Sequence, residues 1–183
     1  MSASSYLVRP TAVFRESYLK ALREGFVLGL RPVLEEDEIA MIAADFEAHL
    51  ARLDTDGQSI YAHNGHTGPT MPSNTFWLAD GAEYIGSVNI RARIDTPALV
   101  HFGGHIGYGI RPAMRRKGYG TRILALALDV CRGMGIGLVR ISCAVDNIGS
   151  RRIIEANGGV YLRRCEPAWY ADHPYLLFEI TLI

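Results

Sequence analysis

The chain has 183 residues, 49% of them hydrophobic and 21% charged, with 19 basic residues against 19 acidic ones. A length near one ordinary domain and an average apolar fraction exclude a disordered chain. The balanced charge offers no global pull toward nucleic acid or an anionic membrane. Three cysteines without CxxC spacing (Cys131, Cys143, Cys165) argue against a disulfide scaffold and against a zinc site, and suit free thiols in a reducing compartment. No signal-peptide pattern and no apolar run of about 20 residues occurs, so a soluble, cytoplasmic protein without metal is expected.

In chain order, Phe14, Tyr18, Leu22 and Phe26 recur at i, i+4 and predict a helix over 11–26. A second helix is predicted over 34–53, opened by Glu35-Glu36-Asp37-Glu38, whose charge suits the positive end of a helix dipole. Residues 54–74 are dense in turn formers and hold His63 and His66, which reads as a substrate-contacting loop. Two histidines three apart are too few for a metal site. The pattern then turns to strands. Residues 75–78 and 84–90 flank an Ala79–Ala82 turn, and a further strand is expected at 105–110. A helix over 118–133 places Ile123, Leu124, Ala127, Leu128 and Cys131 on one apolar face. A buried strand at 139–145, a short helix at 147–156 ended by Asn157-Gly158-Gly159, and strands at 160–165 and 175–182 complete the reading. The expected fold is a single mixed α/β domain over 1–183, with a central, mostly antiparallel sheet flanked by helices.

The stretch that carries chemistry runs from Gly104 to Thr121. A strand ends near Ile110, Pro112 stops its ladder, and a basic turn leads into the helix at Gly118. The amides of Arg116, Lys117, Gly118, Tyr119 and Gly120 would then be the unpaired donors of a helix N-terminus, a ready anion site. Gly118 and Gly120 let a phosphate approach the main chain, and Arg115, Arg116 and Lys117 add positive charge. GxxxxGK[ST] is absent, and no GxGxxG opens this helix.

Arg115-Arg116-Lys117-Gly118-Tyr119-Gly120 matches the pattern [QR]-x-x-G-x-[GA], and Asn147 stands three residues before Ser150 at the start of the next helix. On these two motifs the sequence resembles the GNAT family of acetyl-CoA-dependent N-acetyltransferases, most clearly over 76–160. It is also similar to an uncharacterised bacterial branch marked by FWL, VNIRARI, GGHIGY and RPxxRRKGYGT. The resemblance implies a sheet that splays beside the cofactor, with Tyr108, Gly109 and Ile110 pairing with pantetheine. It implies that the turn from Arg115 to Thr121 holds a pyrophosphate, and that Asn147, with Ser150 beside it, contacts the pantetheine arm. Asn147 also reads as a helix N-cap, a role Asp146 could share.

The implied reaction is direct attack of an amine on acetyl-CoA, polarised by a backbone N–H near Ile110. Many members carry a glutamate on the strand holding Gly104, His105 and Ile106, yet no carboxylate lies between Asp95 and Asp129 here. His105 is therefore the candidate base or water relay, or else a histidine satisfied by the backbone between its glycines, with His101 behind it. A tyrosine often found four residues after the Ser is replaced by Ile154, which leaves solvent, Tyr108 or Tyr161 to protonate the leaving thiolate. Cys131 and Cys143 read as core residues. Arg91 and Arg93 alternate on one strand and could bind an acceptor carboxylate or phosphate, or line a solvated face. Trp77, His63, His66, Trp169 and Tyr170 could border the acceptor pocket. The expected partner is a small-molecule or peptide amine, with neither nucleic acid nor membrane involved; a homodimer is common among such enzymes. A non-catalytic acyl-CoA sensor is the alternative.

Overall fold

The computed structural model describes residues 4–28, 32–54, 60–63, 66–69, 71–96, 99–166 and 174–182. The chain runs β1 (Tyr6–Val8), a 3-10 turn (Ala12–Phe14), α1 (Arg15–Arg23), α2 (Glu36–Ala44), α3 (Phe46–Ala51), β2 (Ile60–His63) and β3 (His66–Pro69). It continues through β4 (Ser73–Asp80), β5 (Glu83–Arg91), a π-helical turn (Leu99–Gly103), β6 (Ile106–Ile110) and a second 3-10 turn (Pro112–Met114). Then come α4 (Tyr119–Gly133), β7 (Leu138–Ala144), α5 (Ile148–Ala156), β8 (Val160–Cys165) and β9 (Tyr175–Thr181). The strands form two antiparallel sheets, ordered β1-β4-β5-β6 and β7-β9-β8, with β2 and β3 pairing as a separate hairpin.

Several elements differ from the sequence expectation. The helix predicted over 34–53 is two helices, because Asp45 leaves helical geometry (φ −134°) and its carboxylate accepts the Ala48 N–H at 3.1 Å, capping a new start. The acidic run does open α2, and the Glu38 carboxylate accepts the Glu35 N–H at 2.9 Å. The expected 54–74 loop contains the β2–β3 hairpin, with His63 opposite His66. Ile-Tyr-Ala-His-Asn-Gly-His-Thr carries the signal for it, an Asn-Gly pair between strand formers. The side chains of His63, His66 and His101, and residues Trp169 and Tyr170, lie outside what is described.

Two cores lie on opposite faces of β4 and β5. α4 buries the predicted face, Ile123, Leu124, Ala127, Leu128 and Cys131, against Val88, Ile90 and Ile106 from one sheet and Val139, Ile141 and Phe178 from the other. One amphipathic helix thus spans both sheets and holds their edges together. On the other face Trp77 and Tyr84 pack against Phe14, Tyr18 and Phe46. Tyr18 stacks on Trp77 with ring centroids 4.6 Å apart. Leu124→Ala at the first core would cost about 2–5 kcal/mol, since that site is surrounded on all sides.

Candidate active site

The site begins where β6 parts from β7. The His105 N–H donates to the Arg140 carbonyl at 2.7 Å, and the Arg140 N–H donates to His105 Nδ1 at 3.0 Å. Gly104 makes this closeness possible: an added Cβ would lie 2.4 Å from the Arg140 oxygen, and its φ of +67° suits glycine. Beyond that bridge β6 and β7 belong to different sheets. On its other side β6 pairs with β5, where the Arg91 N–H donates to His105 O and the Arg111 N–H to Ile85 O. Antiparallel alternation then turns the backbone groups of residues 107 and 109 toward β5, and those of Ile106, Tyr108 and Ile110 toward β7. Tyr108 and Ile110 therefore present N–H and C=O groups to the gap between the sheets. The Ile110 carbonyl is partly used, because Arg115 Nε donates to it at 3.1 Å.

At the mouth of the gap the chain turns into α4. Arg116 (φ 63°) and Gly118 (φ 85°) both adopt left-handed backbone, and Gly118 is the N-cap without a side-chain cap. For a non-glycine residue such as Arg116 that conformation is strained, and strain of this kind collects at functional turns. The backbone N–H groups of Arg116, Lys117, Gly118, Tyr119, Gly120 and Thr121 donate to no protein acceptor among the described residues. A run of such donors at the start of a 15-residue helix is a nest for an anion, helped by the helix dipole. Arg116 and Lys117 stand exposed beside it, whereas Arg115 is pinned to the strand end. The Tyr119 side chain faces away, its hydroxyl donating to Asp80 Oδ2 at 2.9 Å, so only its amide serves the turn.

Asn147 caps α5, its Oδ1 accepting the Ser150 N–H at 2.9 Å, while its amide nitrogen has no acceptor among the described residues. Asp146 does not share that cap. Ser150 Oγ lies 2.9 Å from the Tyr108 hydroxyl, so this pair joins β6 to α5 across the gap. Burial pushes the Tyr108 phenol up to about 12, which keeps it protonated near neutral pH. Tyr161 stands on β8, separated from β7 by β9, and leaves Tyr108 as the phenol at the gap.

Of the two readings of His105, the structure shows the ring satisfied by backbone. Its Nδ1 lone pair already accepts the Arg140 N–H, so the neutral ring carries its proton on Nε2 and has no lone pair for an amine proton. Burial, with the charges of Arg140 and Arg91, also holds its pKa below the usual value. The arginine pair departs from its expected place on one strand. Arg91 ends β5 and is half-buried, whereas Arg93 lies beyond the strand, exposed and ion-paired with Asp95. Burial pushes the Cys131 and Cys143 thiols up to about 11, which suits core packing. Ile154 is fully buried in the main core. No group of three or more His, Cys, Asp or Glu among the described residues could hold a metal ion.

Sequence reasoning missed Arg111. It is 2% exposed, and donates to both Glu24 oxygens at 2.7 and 2.9 Å and to Glu83 at 2.8 Å. Glu24 also accepts the Ala113 N–H at 3.4 Å. One guanidinium thus ties the end of β6 and the start of the nest to α1 and β5. An Arg-Pro pair carries no periodic signal, and its acids lie 87 and 28 residues away.

The description "Acetyltransferase (GNAT) domain" matches residues 28–160. This chain belongs to the GNAT acetyltransferase family. By family it is an acyltransferase. No curated protein sequence matches it. Solved structures share the fold at low identity. RimJ of Mycobacterium smegmatis, bound to CoA-disulfide, is 15% identical with a TM-score of 0.66, covering 97% of this chain and 81% of that one. A GNAT acetyltransferase of Bacillus anthracis is 11% identical with a TM-score of 0.65, covering 99% and 96%. The Salmonella typhimurium enzyme that modifies the N-terminal serine of ribosomal protein L7/L12 is 13% identical with a TM-score of 0.62, covering 100% and 97%.

Against this GNAT frame the residues present fit acetyl-CoA. The unpaired amides of the turn suit a diphosphate, the free edge of β6 suits an amide-bearing arm, and the Asn147 amide nitrogen faces no competitor.

Proposed function

We propose that the protein transfers an acetyl group from acetyl-CoA to a primary amine of a small molecule or peptide, by direct attack and without a covalent acyl-enzyme. The observation that carries this reading is the run of unpartnered amides from Arg116 to Thr121 at the mouth of the β6–β7 gap. The three free cysteines, all buried, support a cytoplasmic setting.

Acetyl-CoA, when bound, supplies a thioester already activated toward amines. The turn amides with Arg116 and Lys117 hold its diphosphate. The backbone of Tyr108 and Ile110, with Asn147, orients its arm, and an outward N–H on this edge of β6 polarises the carbonyl. Holding two reactants in line is worth up to about 7–11 kcal/mol, whereas a general base adds roughly 3–5 kcal/mol. The want of a carboxylate on β6 therefore lowers the rate without removing the reaction, and water takes the amine proton. Tyr108, protonated and steadied by Ser150, is the proton donor to the leaving thiolate, so Tyr108→Phe should slow turnover while acetyl-CoA still binds.

Thermal denaturation with and without acetyl-CoA tests the donor half. Saturating ligand should raise the Tm of the protein, and Gly118→Glu should abolish that rise by placing bulk and negative charge in the nest. An equal rise in both proteins would overturn the assignment. Thiol release across a panel of amines tests the acyl transfer, and binding without acceptor-dependent release would favour a sensor instead.

A further inference from the structure

Three rows of residues cross β4, β5 and β6 on the face that carries Trp77. The first is Trp77, Ser87 and Gly109; the second is Thr75, Asn89 and Gly107; the third is Ser73 and Arg91, with His105 beside them. Paired residues share a face, and so do residues two apart on a strand. The first row is closed: Trp77 lies under the aromatic cluster, and a Cβ on Gly109 would come within 2.9 Å of the Val27 carbonyl. Among the described residues the second row is open, because a Cβ on Gly107 would meet none of them within 4 Å.

This opening has a polar floor with spare capacity. Asn89 Nδ2 donates to Ser73 Oγ at 2.9 Å and to Thr75 Oγ1 at 3.2 Å, and Thr75 donates onward to the Leu53 carbonyl at 2.6 Å. That chain fixes the amide orientation and leaves Asn89 Oδ1 with no partner among the described residues. One row further, the half-buried Arg91 guanidinium has neither ion pair nor hydrogen bond among them. Nearby Arg93 and Arg140 are both engaged, with Asp95 and Glu179 respectively. A partly desolvated cation without a counter-ion is unfavourable, and such positions persist where a ligand supplies the charge. Burial accordingly lowers the Arg91 pKa.

We propose that this face is the acceptor site and that its ligand is an amine carrying an anionic group, carboxylate or phosphate, held by Arg91. Resting on the acyl-transfer reading above, it puts the amine over Gly107, beside the edge of β6, with Asn89 Oδ1 accepting one of its N–H groups. The two rows are roughly 6.8 Å apart along β5, so an extended spacer of several bonds between amine and anion fits best.

The test is calorimetric titration of the CoA-saturated protein with matched amines. γ-Aminobutyrate is set against γ-aminobutyramide, and phosphoethanolamine against ethanolamine, which separates carboxylate from phosphate. At least one anion should bind about tenfold or more tighter than its neutral counterpart, Arg91→Gln should erase that preference, and CoA affinity should not change. Because Arg91 has no partner to lose among the described residues, Arg91→Gln should also keep or raise the Tm, which an arginine with a structural role would not do. A missing anion preference in the unmodified protein, or one that survives Arg91→Gln, overturns the proposal. Failure of CoA itself to bind would instead sink the acyl-transfer reading. Faster thiol release with the neutral amines would keep acyl transfer and sink this inference.

Discussion

The turn after β6 and the sheet face around Arg91 both hold polar groups without a protein partner, but they are built differently. In the turn the unsatisfied groups are main-chain amides fixed by two left-handed residues, and any side chain compatible with that bend leaves them in place. On the sheet face they are side chains, Asn89 and Arg91, fixed by a short chain of hydroxyls from β4. Backbone sites serve a ligand part that every family member shares, whereas side-chain sites can change one residue at a time. On the two proposals above, the donor half would be generic and the acceptor half particular to this chain.

The largest effect that separates the halves is expected at Arg111. If the generic half depends on its frame, Arg111→Met should cost up to about 3 kcal/mol, because Glu24 loses both of its guanidinium bonds while remaining partly exposed. For a chain of this size that is a fall in Tm of roughly 6–12 °C, with weakened CoA binding in the folded fraction. The Arg111 bonds hold the Glu24 carboxyl below the usual carboxylate range. The unfolded chain therefore binds this proton first, so the Glu24 contribution is present above the ordinary range and lost as pH falls through the folded value. Denaturant titrations between pH 7 and pH 3 should show that acid-side loss in the unmodified protein and a smaller one in Arg111→Met. Equal losses would show that the nest stands without this tie.

A smaller effect, confined to the other half, is expected at Gly107. Its backbone does not need glycine, and an added side chain enters space open among the described residues. Gly107→Val should therefore fold normally and bind acetyl-CoA unchanged, while raising the KM for the amine about tenfold by filling the space above the second row. Steady-state kinetics with both substrates varied reads this directly. A change in the acetyl-CoA KM alone would mean that the opening belongs to the donor half.

Much of the donor half was legible in the sequence, because its signals are local. The apolar face of α4, the stop at Pro112 and the R-x-x-G-x-G turn each lie within a few residues of what they determine. The acceptor half was not. Arg91 and Arg93 look equivalent in sequence, and only the end of β5 at Arg91 separates a half-buried cation from a solvated ion pair. For His105 the sequence left a base and a backbone-satisfied ring both open, because the bond from Arg140 that separates them comes from a strand 35 residues away. Arg111 was invisible for the same reason, its partners being brought in by α1 and β5. The break at Asp45 was a local signal overlooked, since Asp three residues before a helical amide is an ordinary cap.

The smallest effect ties the two halves through His105, which bridges β6 to β7 and lies beside Arg91. Burial first, then the Arg140 and Arg91 charges, keep this imidazole neutral below its usual pKa. The unfolded chain takes up the proton as pH falls through about 6.5, and the native protein resists. Between those two values the unfolded state binds more protons, so stability declines as pH drops below about 7 and levels off under the folded value. His105→Gln should flatten that decline by at most about 1.4 kcal/mol per pH unit. Of the two cations facing the ring, Arg140 is paired with Glu179 and Arg91 is unpaired among the described residues. Removing the Arg91 charge should therefore raise the His105 pKa and shrink the same decline, as should an anion bound at Arg91. Urea titrations of Arg91→Gln at pH 7.5 and 5.5 would show it, and an unaltered decline would mean that the Arg91 charge is already neutralised within the protein.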